Sequence, residues 1–359
     1  MKFNGNLIES NYTKSQKATA LKKILFFFIF LLILLIVFFT LGYSLNNKII
    51  LTKETISIPN IDKSLNGYTI LHISDLNGNA NIISDDAIIK LLHGQRFNSV
   101  CFTGNMIGKN GNLSALTMLI EQLKKINEKA IIYYLPGEFD PDPVSESSTQ
   151  EIRSDYILSL EKLGVKYLDR PYYEQIGKRR VFFSPEYLYN IDPKNTLDTM
   201  TNEIENIEKK GELFLPEKSS IYNNISYKSR IMEEAINVQK TIDSQDIQVI
   251  VSSMPLSSDT ISNSISFSDP ENIFSFRKAN IILSGSLVGG QWCLPGGQPI
   301  YVPEYGLFPD KHQISGKSRI LTIDEYISTG LSCSPIYPYP KVRIYNPPTI
   351  TLIKFNNKY

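Results

Sequence analysis

The longest apolar segment of the chain lies near its N-terminus. No residue from Ile24 to Asn47 is charged, and the stretch from Ile24 through Leu41 consists almost entirely of Ile, Leu, Phe and Val. This is about the length that a helix needs to cross the hydrocarbon core of a bilayer. A cleaved signal peptide would have a shorter apolar stretch and a small-residue cleavage site, and residues 40–42 match such a site poorly. The pattern therefore predicts a retained transmembrane helix over residues 24–45.

After this segment, short apolar runs rich in β-branched residues alternate with amphipathic stretches. Each run ends in polar or glycine-containing residues, as buried strands do when loops follow their carboxyl ends. The amphipathic stretches Asp85–His93 and Asn112–Lys129 predict helices between the early strands. The pattern indicates an α/β fold with a layered β-sheet core flanked by helices, with a site at the carboxyl ends of the strands. The predicted strands are Tyr68–Ser74, Ser99–Thr103, Ala130–Leu135, Gln248–Ser252 and Asn280–Ser284.

The charged residues that flank the apolar segment predict its orientation. Before it, five lysines stand against Glu9 alone, whereas after it basic and acidic residues are mixed. Basic residues favour the cytoplasmic side, so we expect a cytoplasmic tail at 1–23 and a single-pass protein of the cell membrane. Residues 46–359 are then one extracytoplasmic domain. Within it, residues 195–246 are more polar, with helical patterns around Thr199–Lys210 and Ser229–Thr241, and we interpret them as an insertion beside the sheet.

Composition narrows the classes of partner. The 37 basic and 36 acidic side chains give a formal charge of +1, so no general field attracts nucleic acid. Cys101, Cys293 and Cys333 lie far apart and fit neither a disulfide framework nor a zinc knuckle. We expect the membrane to be one partner, through the N-terminal helix, and an unidentified protein or small molecule to be another.

Five polar loops follow the predicted strands, and in chain order they resemble the signature loops of calcineurin-like metallophosphoesterases. The family pattern is Asp-x-His, Gly-Asp, Gly-Asn-His-Asp/Glu, a His before Pro, and Gly-His-x-His. Residues 70–76 are similar to the family's first strand, and residues 301–303 and 346–352 are similar to closing strands of its membrane-associated bacterial branch. The resemblance covers roughly residues 50–359 without the insertion. The loops are residues 75–77, 104–105, 137–140, 253–255 and 285–291.

The resemblance implies a site in which two divalent ions orient a phosphate and activate a bridging water. Asp75 matches the first metal ligand, and Asp140 matches the residue that orients the family's catalytic histidine. Phe139 stands where that histidine would be. The other positions that match metal ligands carry Asn77, Asn105, Glu138, Ser253, Ser286 and Val288.

These replacements argue against a dinuclear centre. Two doubly charged ions about 3.5 Å apart repel by on the order of 20 kcal/mol at an effective dielectric near 20, so they need a bridging anion. Asn105 is neutral and cannot supply one. An oxygen-rich set remains, which binds a hard ion weakly unless carboxylates converge. We therefore expect no cofactor, and the alternative is one weakly bound divalent cation. The set is Asp75, Asn77, Asn105 and Glu138, with Ser253 and Ser286 nearby.

Several single residues have two interpretations. Asp75 and Asp140 could act as general acid and base, or could be hydrogen-bond acceptors that fix the loops. Trp292, the only tryptophan, could form the floor of a pocket for a sugar or base, or could pack against a neighbouring loop. None of the three histidines falls at a ligand position, and we expect His72 to be a hydrogen-bonded core residue of the first strand.

The leading hypothesis is a pseudoenzyme, a metallophosphoesterase-like domain tethered outside the membrane that binds a partner or serves as a scaffold. The losses fall on functional loop positions, whereas the framing glycines, prolines and strands remain. One alternative is a phosphoesterase with an atypical, weakly held single ion, or a different reaction carried out by Asp75, Glu138 and Asp140. A third possibility is a structural envelope protein that uses the insertion as its interaction surface.

Overall fold

The structure is a computed structural model, and it describes residues 5–358 except 45, 47, 85, 146–151, 212, 214, 268–273 and 322. The α-helices are α1 Gly5–Ser44, α2 Ala87–Leu91, α3 Ser114–Ile126, α4 Asp155–Lys162, α5 Pro193–Lys210, α6 Pro216–Gln239 and α7 Ser258–Phe267. The strands are β1 Ile50–Pro59, β2 Thr69–Ile73, β3 Ser99–Thr103, β4 Ile131–Leu135, β5 Val165–Tyr167, β6 Tyr172–Ile176, β7 Arg179–Pro185, β8 Ile247–Val251, β9 Ile281–Ser284, β10 Cys293–Leu294, β11 Gln298–Pro299, β12 Tyr301–Val302, β13 Gly306–Leu307, β14 Gly316–Ile320, β15 Ile323–Ile327 and β16 Thr349–Lys358.

The N-terminal helix α1 contains the predicted span. Its part from Thr19 to Ser44 is long and apolar enough to cross a membrane, and the side chains of its apolar stretch are not buried inside the rest of the molecule. Residue 45, the predicted end of the span, lies outside the described residues, as do residues 1–4 of the predicted tail.

Most of the strands form two six-stranded sheets. The first has the order β1-β16-β2-β3-β4-β5, in which β16 pairs parallel with β1 and antiparallel with β2. The second has the order β14-β15-β9-β8-β7-β6, with a parallel centre and an antiparallel strand at each edge. Parallel strands covered on both faces are continuous apolar runs, and the fully buried β3 and β8 have this pattern.

Three apolar clusters arrange these sheets into four layers. The cluster between the sheets joins Ile70 and Tyr133 of the first sheet to Phe183 and Val249 of the second. A second cluster covers the outer face of the first sheet with α2, α3 and α4. A third covers the outer face of the second sheet with α6 and α7. The predicted fold class, a layered α/β sheet core flanked by helices, is therefore confirmed.

The predicted elements are confirmed with small shifts at their ends. The five predicted strands are β2, β3, β4, β8 and β9, each end within one residue of the prediction. The two predicted early helices are α2 and α3, although Asp85, the predicted start of the first, lies outside the described residues. The helices of the polar stretch begin earlier than predicted, because Pro193 and Pro216 occupy first-turn positions where proline favours helix formation.

Candidate functional site

The loops after β2, β3 and β9 meet at the carboxylate of Asp75, which is fully buried. It accepts hydrogen bonds from the hydroxyl of Ser74 at 2.6 Å, from Nδ2 of Asn105 at 3.0 Å and from the backbone N–H of Ser286 at 3.0 Å. Three of the strand-end positions predicted from the sequence are thus brought together, namely Asp75, Asn105 and Ser286. The carboxylate joins three loops by direct hydrogen bonds between protein groups.

Asn105 extends this cluster to a fourth loop. Its amide group also donates toward the hydroxyl of Ser286 at 3.4 Å, and its Oδ1 accepts from the backbone N–H of Phe139 at 3.0 Å. Asp75, Asn105 and Ser286 all have positive φ angles, of 55°, 55° and 72°. Such backbone conformations cost of order 1–3 kcal/mol each and persist only where the surroundings over-determine them. The hydrogen bonds of the cluster, together with the sheet ends, provide that constraint.

Two glycines come close to the cluster. A Cβ at Gly137 would lie 2.2 Å from Oδ1 of Asn105, and a Cβ at Gly330 would lie 2.9 Å from Oδ2 of Asp75. The backbone at these two glycines therefore packs so closely against the two polar side chains that a Cβ would not fit. Burial raises the pKa of Asp75 to about 6, although its three hydrogen bonds and the nearby cation of Arg343 act in the opposite direction.

The remaining predicted ligand positions point elsewhere. The amide of Asn77 donates to the backbone carbonyls of Cys333 at 3.1 Å and of Asp75 at 3.5 Å, and Glu138 is exposed to solvent. Neither side chain hydrogen-bonds to the carboxylate of Asp75. Ser253 is half-buried, and a Cβ at Gly104 would lie 3.1 Å from the Cβ of Ser253. Val288 is fully buried, because its apolar side chain packs with Leu287 in a separate cluster.

This arrangement does not fit the two ions that the family resemblance implies. A divalent ion at Asp75 would displace hydrogen bonds that the carboxylate already accepts, and the side chains that donate these bonds, Ser74 and Asn105, are neutral. Within the part of the chain that the structure describes, no group of three or more His, Cys, Asp or Glu residues is placed to hold a metal ion. Asp75 is the only carboxylate in the cluster of described residues formed by these three loops.

Asp140 fixes two loops. Its carboxylate accepts hydrogen bonds from the backbone N–H groups of Met106, Ile107, Gly108 and Gly137 and from the hydroxyl of Tyr134, at 2.8–3.2 Å. A carboxylate has about four lone-pair sites, so these donors saturate it. Asp140 therefore positions the loops after β3 and β4, and no lone pair is left to abstract a proton from a substrate.

Phe139 and Lys109 close the same region from the solvent side. Phe139 is buried, and the ammonium group of Lys109 lies 5.3 Å from the centre of its ring, at the distance of a cation–π contact. The position that would hold an imidazole in the family thus holds an apolar ring covered by a cation. An apolar ring there excludes water from the neighbouring loops.

Arg343 is a residue of the site that the sequence did not indicate. Its guanidinium group is buried and donates to the backbone carbonyls of Val288, Thr329, Ser332 and Asn346 and to Oδ1 of Asn346, at 2.6–3.3 Å. Burial lowers its pKa. These neutral acceptors come from the loops after β9 and β15 and from the segment that precedes β16. A protein cation therefore gathers loops beside the Asp75 cluster.

His72 and Trp292 have packing roles in the structure. His72 lies within β2, its Nε2 is 2.8 Å from the hydroxyl of Thr103, and burial lowers its pKa to about 3, so the ring is neutral. The indole N–H of Trp292 donates to the carbonyl of Val342 at 3.0 Å. The Trp292 ring lies against Tyr339 and against Phe39 of α1, with centroid distances of 4.4 Å and 5.7 Å.

Comparisons with known proteins give structural similarities only. No family model matches the sequence, and no curated protein matches it. Similar solved structures include the phosphopantetheinyl hydrolase of Mycobacterium tuberculosis, at 12% identity over 73% of this chain and 89% of that chain, with a TM-score of 0.35. They also include a dimetal phosphatase from Danio rerio, at 11% identity over 74% and 88% of the two chains, with a TM-score of 0.36. At these values the similarities establish neither the family nor an activity of this chain.

Proposed function

We propose that this chain is a membrane-anchored, extracytoplasmic pseudoenzyme of the metallophosphoesterase type that acts as a binding or scaffold protein. The observation that supports this proposal is the direct hydrogen bonding of Asp75 to Asn105 and Ser286. These residues occupy the strand ends where the family resemblance places metal ligands. In an active member ions join the loops, whereas here an amide, a hydroxyl and a backbone N–H do so without an ion.

The cation of Arg343 supports the same proposal. In a metal-dependent site, positive charge that holds the loops comes from the bound ions. Here a fixed guanidinium group holds the loops after β9 and β15 to the segment that precedes β16. A folded arrangement that supplies its own cation needs no divalent ion for stability. We accordingly propose that no metal cofactor is bound.

Metal analysis combined with a hydrolysis assay tests this proposal. The full chain, purified in detergent, is analysed for bound metal and assayed with a simple phosphodiester in manganese, magnesium, zinc or calcium. We expect much less than one ion per chain and no metal-dependent hydrolysis. Stoichiometric metal and hydrolysis that are both lost in Asp75→Asn, but retained in the exposed control Asp259→Asn, would instead support the single-ion phosphoesterase.

The proposed anchoring is tested separately. Basic residues before α1 favour a cytoplasmic N-terminus, so the domain after residue 46 should face outward. Protease added to intact wall-free cells should remove this domain. Protection of the domain until the cells are lysed would show the opposite topology.

Substitutions on α5 test whether the insertion is the surface that binds the partner. This helix of the polar stretch is largely exposed, whereas α6 contributes Tyr227, Ile231 and Met232 to the layer over the second sheet. Deletion of residues 195–246 would therefore remove part of the core. Charge reversals on α5 should abolish partner capture if the insertion is the interaction surface, and should leave it unchanged if another face is used.

A further inference from the structure

The C-terminal end of α1 packs against the domain. The ring of Phe38 lies 4.9 Å from that of Tyr345, and the ring of Phe39 lies 5.7 Å from that of Trp292. A Cβ at Gly42 would come within 2.7 Å of Ile344, so the helix backbone touches the domain there. With a rise of 1.5 Å per residue, contacts extend about 9 Å back along the helix from its end. The domain therefore contacts a stretch of α1 that belongs to the apolar span.

Hydrogen bonds fix this contact. The backbone N–H of Tyr345 donates to the carbonyl of Gly42 at 3.2 Å. The side chain of Asn46 donates to the carbonyl of Arg343 and accepts from the backbone N–H of Asn346 at 3.1 Å. The C-terminal end of α1 and the domain are thus joined by specific hydrogen bonds, one at Gly42 within the helix and two at Asn46 just after it. If α1 crosses a bilayer, these contacts place Trp292 and Tyr345 at the membrane surface.

A series of short strands lies next to this contact. The short strands β10 to β13 follow Trp292, and we call residues 292–308 the meander. The backbone N–H of Ile300 donates to the carbonyl of Trp292, and that of Phe308 donates to the carbonyl of Ile300, both at 2.9 Å. Neighbouring strands lie about 4.8 Å apart, so the backbone of Phe308 is about 10 Å from that of Trp292.

The C-terminal end of the meander exposes large apolar side chains. Leu307 is 70% exposed and Phe308 is 59% exposed, the highest values for large apolar residues of the described chain outside α1. Leu294 and Tyr305 of the same meander are also exposed. Moving a Leu or Phe side chain from water into an apolar environment is favourable. Two such residues beside a membrane-spanning helix would be stabilised by lipid for this reason.

We propose that the meander inserts Leu307 and Phe308 into the leaflet next to the C-terminal end of α1, with lipid acyl chains as the occupant of this apolar surface. Trp292 and Tyr305 then lie at the headgroup level, where Trp and Tyr are enriched. This inference rests on the proposed anchoring of the chain by α1. The continuity of the meander with the α1 contact distinguishes it from the other exposed apolar residues. The domain is held on the membrane in one orientation by two attachments, the helix and the meander.

Tryptophan fluorescence in vesicles tests this inference. Because Trp292 is the only tryptophan, Trp292→Phe provides a background for single probes at other positions. In that background, Leu307→Trp places the probe in the meander, and Leu215→Trp is its control. Both substitutions replace an exposed leucine, but Leu215 lies at the start of α6, outside the meander. The full chain is reconstituted in phosphatidylcholine vesicles with lipids brominated along the acyl chain. We expect bromine to quench the probe at 307 at least twofold more than the probe at 215.

Equal quenching at the two positions, or none at 307, would overturn the inference. The wild-type chain gives a second measurement without any substitution: Trp292 should be quenched by bromine close to the headgroups, and a Trp292 that is unaffected would also overturn it. Alkaline extraction separates the two proposals. Release of the chain from the vesicles would refute the anchoring by α1, whereas a chain that stays with the vesicles but shows no quenching at 307 refutes the meander insertion alone.

Discussion

Glu325 should make the stability of the domain fall as the pH rises. Its carboxylate is almost fully buried on β15, and it accepts from the backbone N–H of Leu256 and the hydroxyls of Ser284 and Ser318. Burial raises its pKa from 4.5 to about 7. The folded state therefore binds a proton more tightly than the unfolded state, and stability is lost as pH rises from about 4.5 through 7.

The substitution Glu325→Gln isolates this effect. Leu256 and Ser284 donate to one carboxylate oxygen, which the glutamine carbonyl can replace, and the glutamine NH2 can donate to the hydroxyl of Ser318. At 1.36 kcal/mol per pKa unit, ionisation costs the folded wild type about 3 kcal/mol at pH 8. The variant avoids that cost, so its free energy of unfolding relative to wild type should increase by about 3 kcal/mol between pH 4 and pH 8.

Melting curves of the full chain in detergent at the two pH values measure this change. We expect the melting temperature of Glu325→Gln relative to wild type to increase by about 5 °C from pH 4 to pH 8. The exposed control Glu304→Gln should show no such change. A difference between Glu325→Gln and wild type that is the same at both pH values would refute the reasoning, because it would mean that Glu325 ionises equally easily in the folded and unfolded states.

Three further predictions concern the site. The full chain should melt at the same temperature, within about 1 °C, in chelator and in millimolar manganese, magnesium, zinc or calcium. An ion bound only to the folded state would instead add about 2.7 kcal/mol of stability at a hundredfold excess over its dissociation constant. An upward shift of several degrees that Asp75→Ala abolishes would therefore contradict this prediction. Phe139→His alone should not produce manganese-dependent phosphodiester hydrolysis, because Asn105 still lacks the negative charge of the family's bridging Asp and Ser286 still lacks the imidazole of a ligand His. Activity from this single change would show that ligand loss is not the cause of inactivity. Arg343→Met should lower the free energy of unfolding by on the order of 3 kcal/mol in denaturant titrations, because it removes the five hydrogen bonds that the buried guanidinium group donates. A loss as small as that of the exposed control Arg319→Met would contradict the structural role of the buried cation.

The sequence predicted the centre of each sheet better than its edges. Strands such as β3 and β8 are buried on both faces, so their apolar runs are continuous and visible in the sequence. The strand β1 was not predicted, because it mixes polar and apolar residues and only Ile56 and Ile58 are buried. Its position depends on pairing with β16, almost 300 residues later in the chain, and local patterns do not contain that information.

The sequence predicted which loops meet, but not how their side chains are directed. Asp75 and Asn105 follow β2 and β3, which are neighbours in the first sheet, and Ser286 follows β9 of the second sheet. That these loops meet can be inferred from the loop resemblance. Asn77 turns toward Cys333 and Glu138 turns to solvent, because backbone conformation decides these directions. Arg343 could not be found, since its acceptors come from loops up to 55 residues away and a single arginine in a Tyr- and Pro-rich stretch has no local signature.

The position of β16 in the first sheet has a consequence for biosynthesis. This strand lies between β1 and β2, yet it follows both of them and every other described strand along the chain. Until β16 has been translated, β1 and β2 each present an unpaired edge, which is a template for aggregation. Non-local pairing of this kind is slow, so the nascent domain should depend on chaperones for most of its translation. A premature stop codon before Thr349 would therefore leave a translated polypeptide that has nearly all its residues but cannot complete its first sheet.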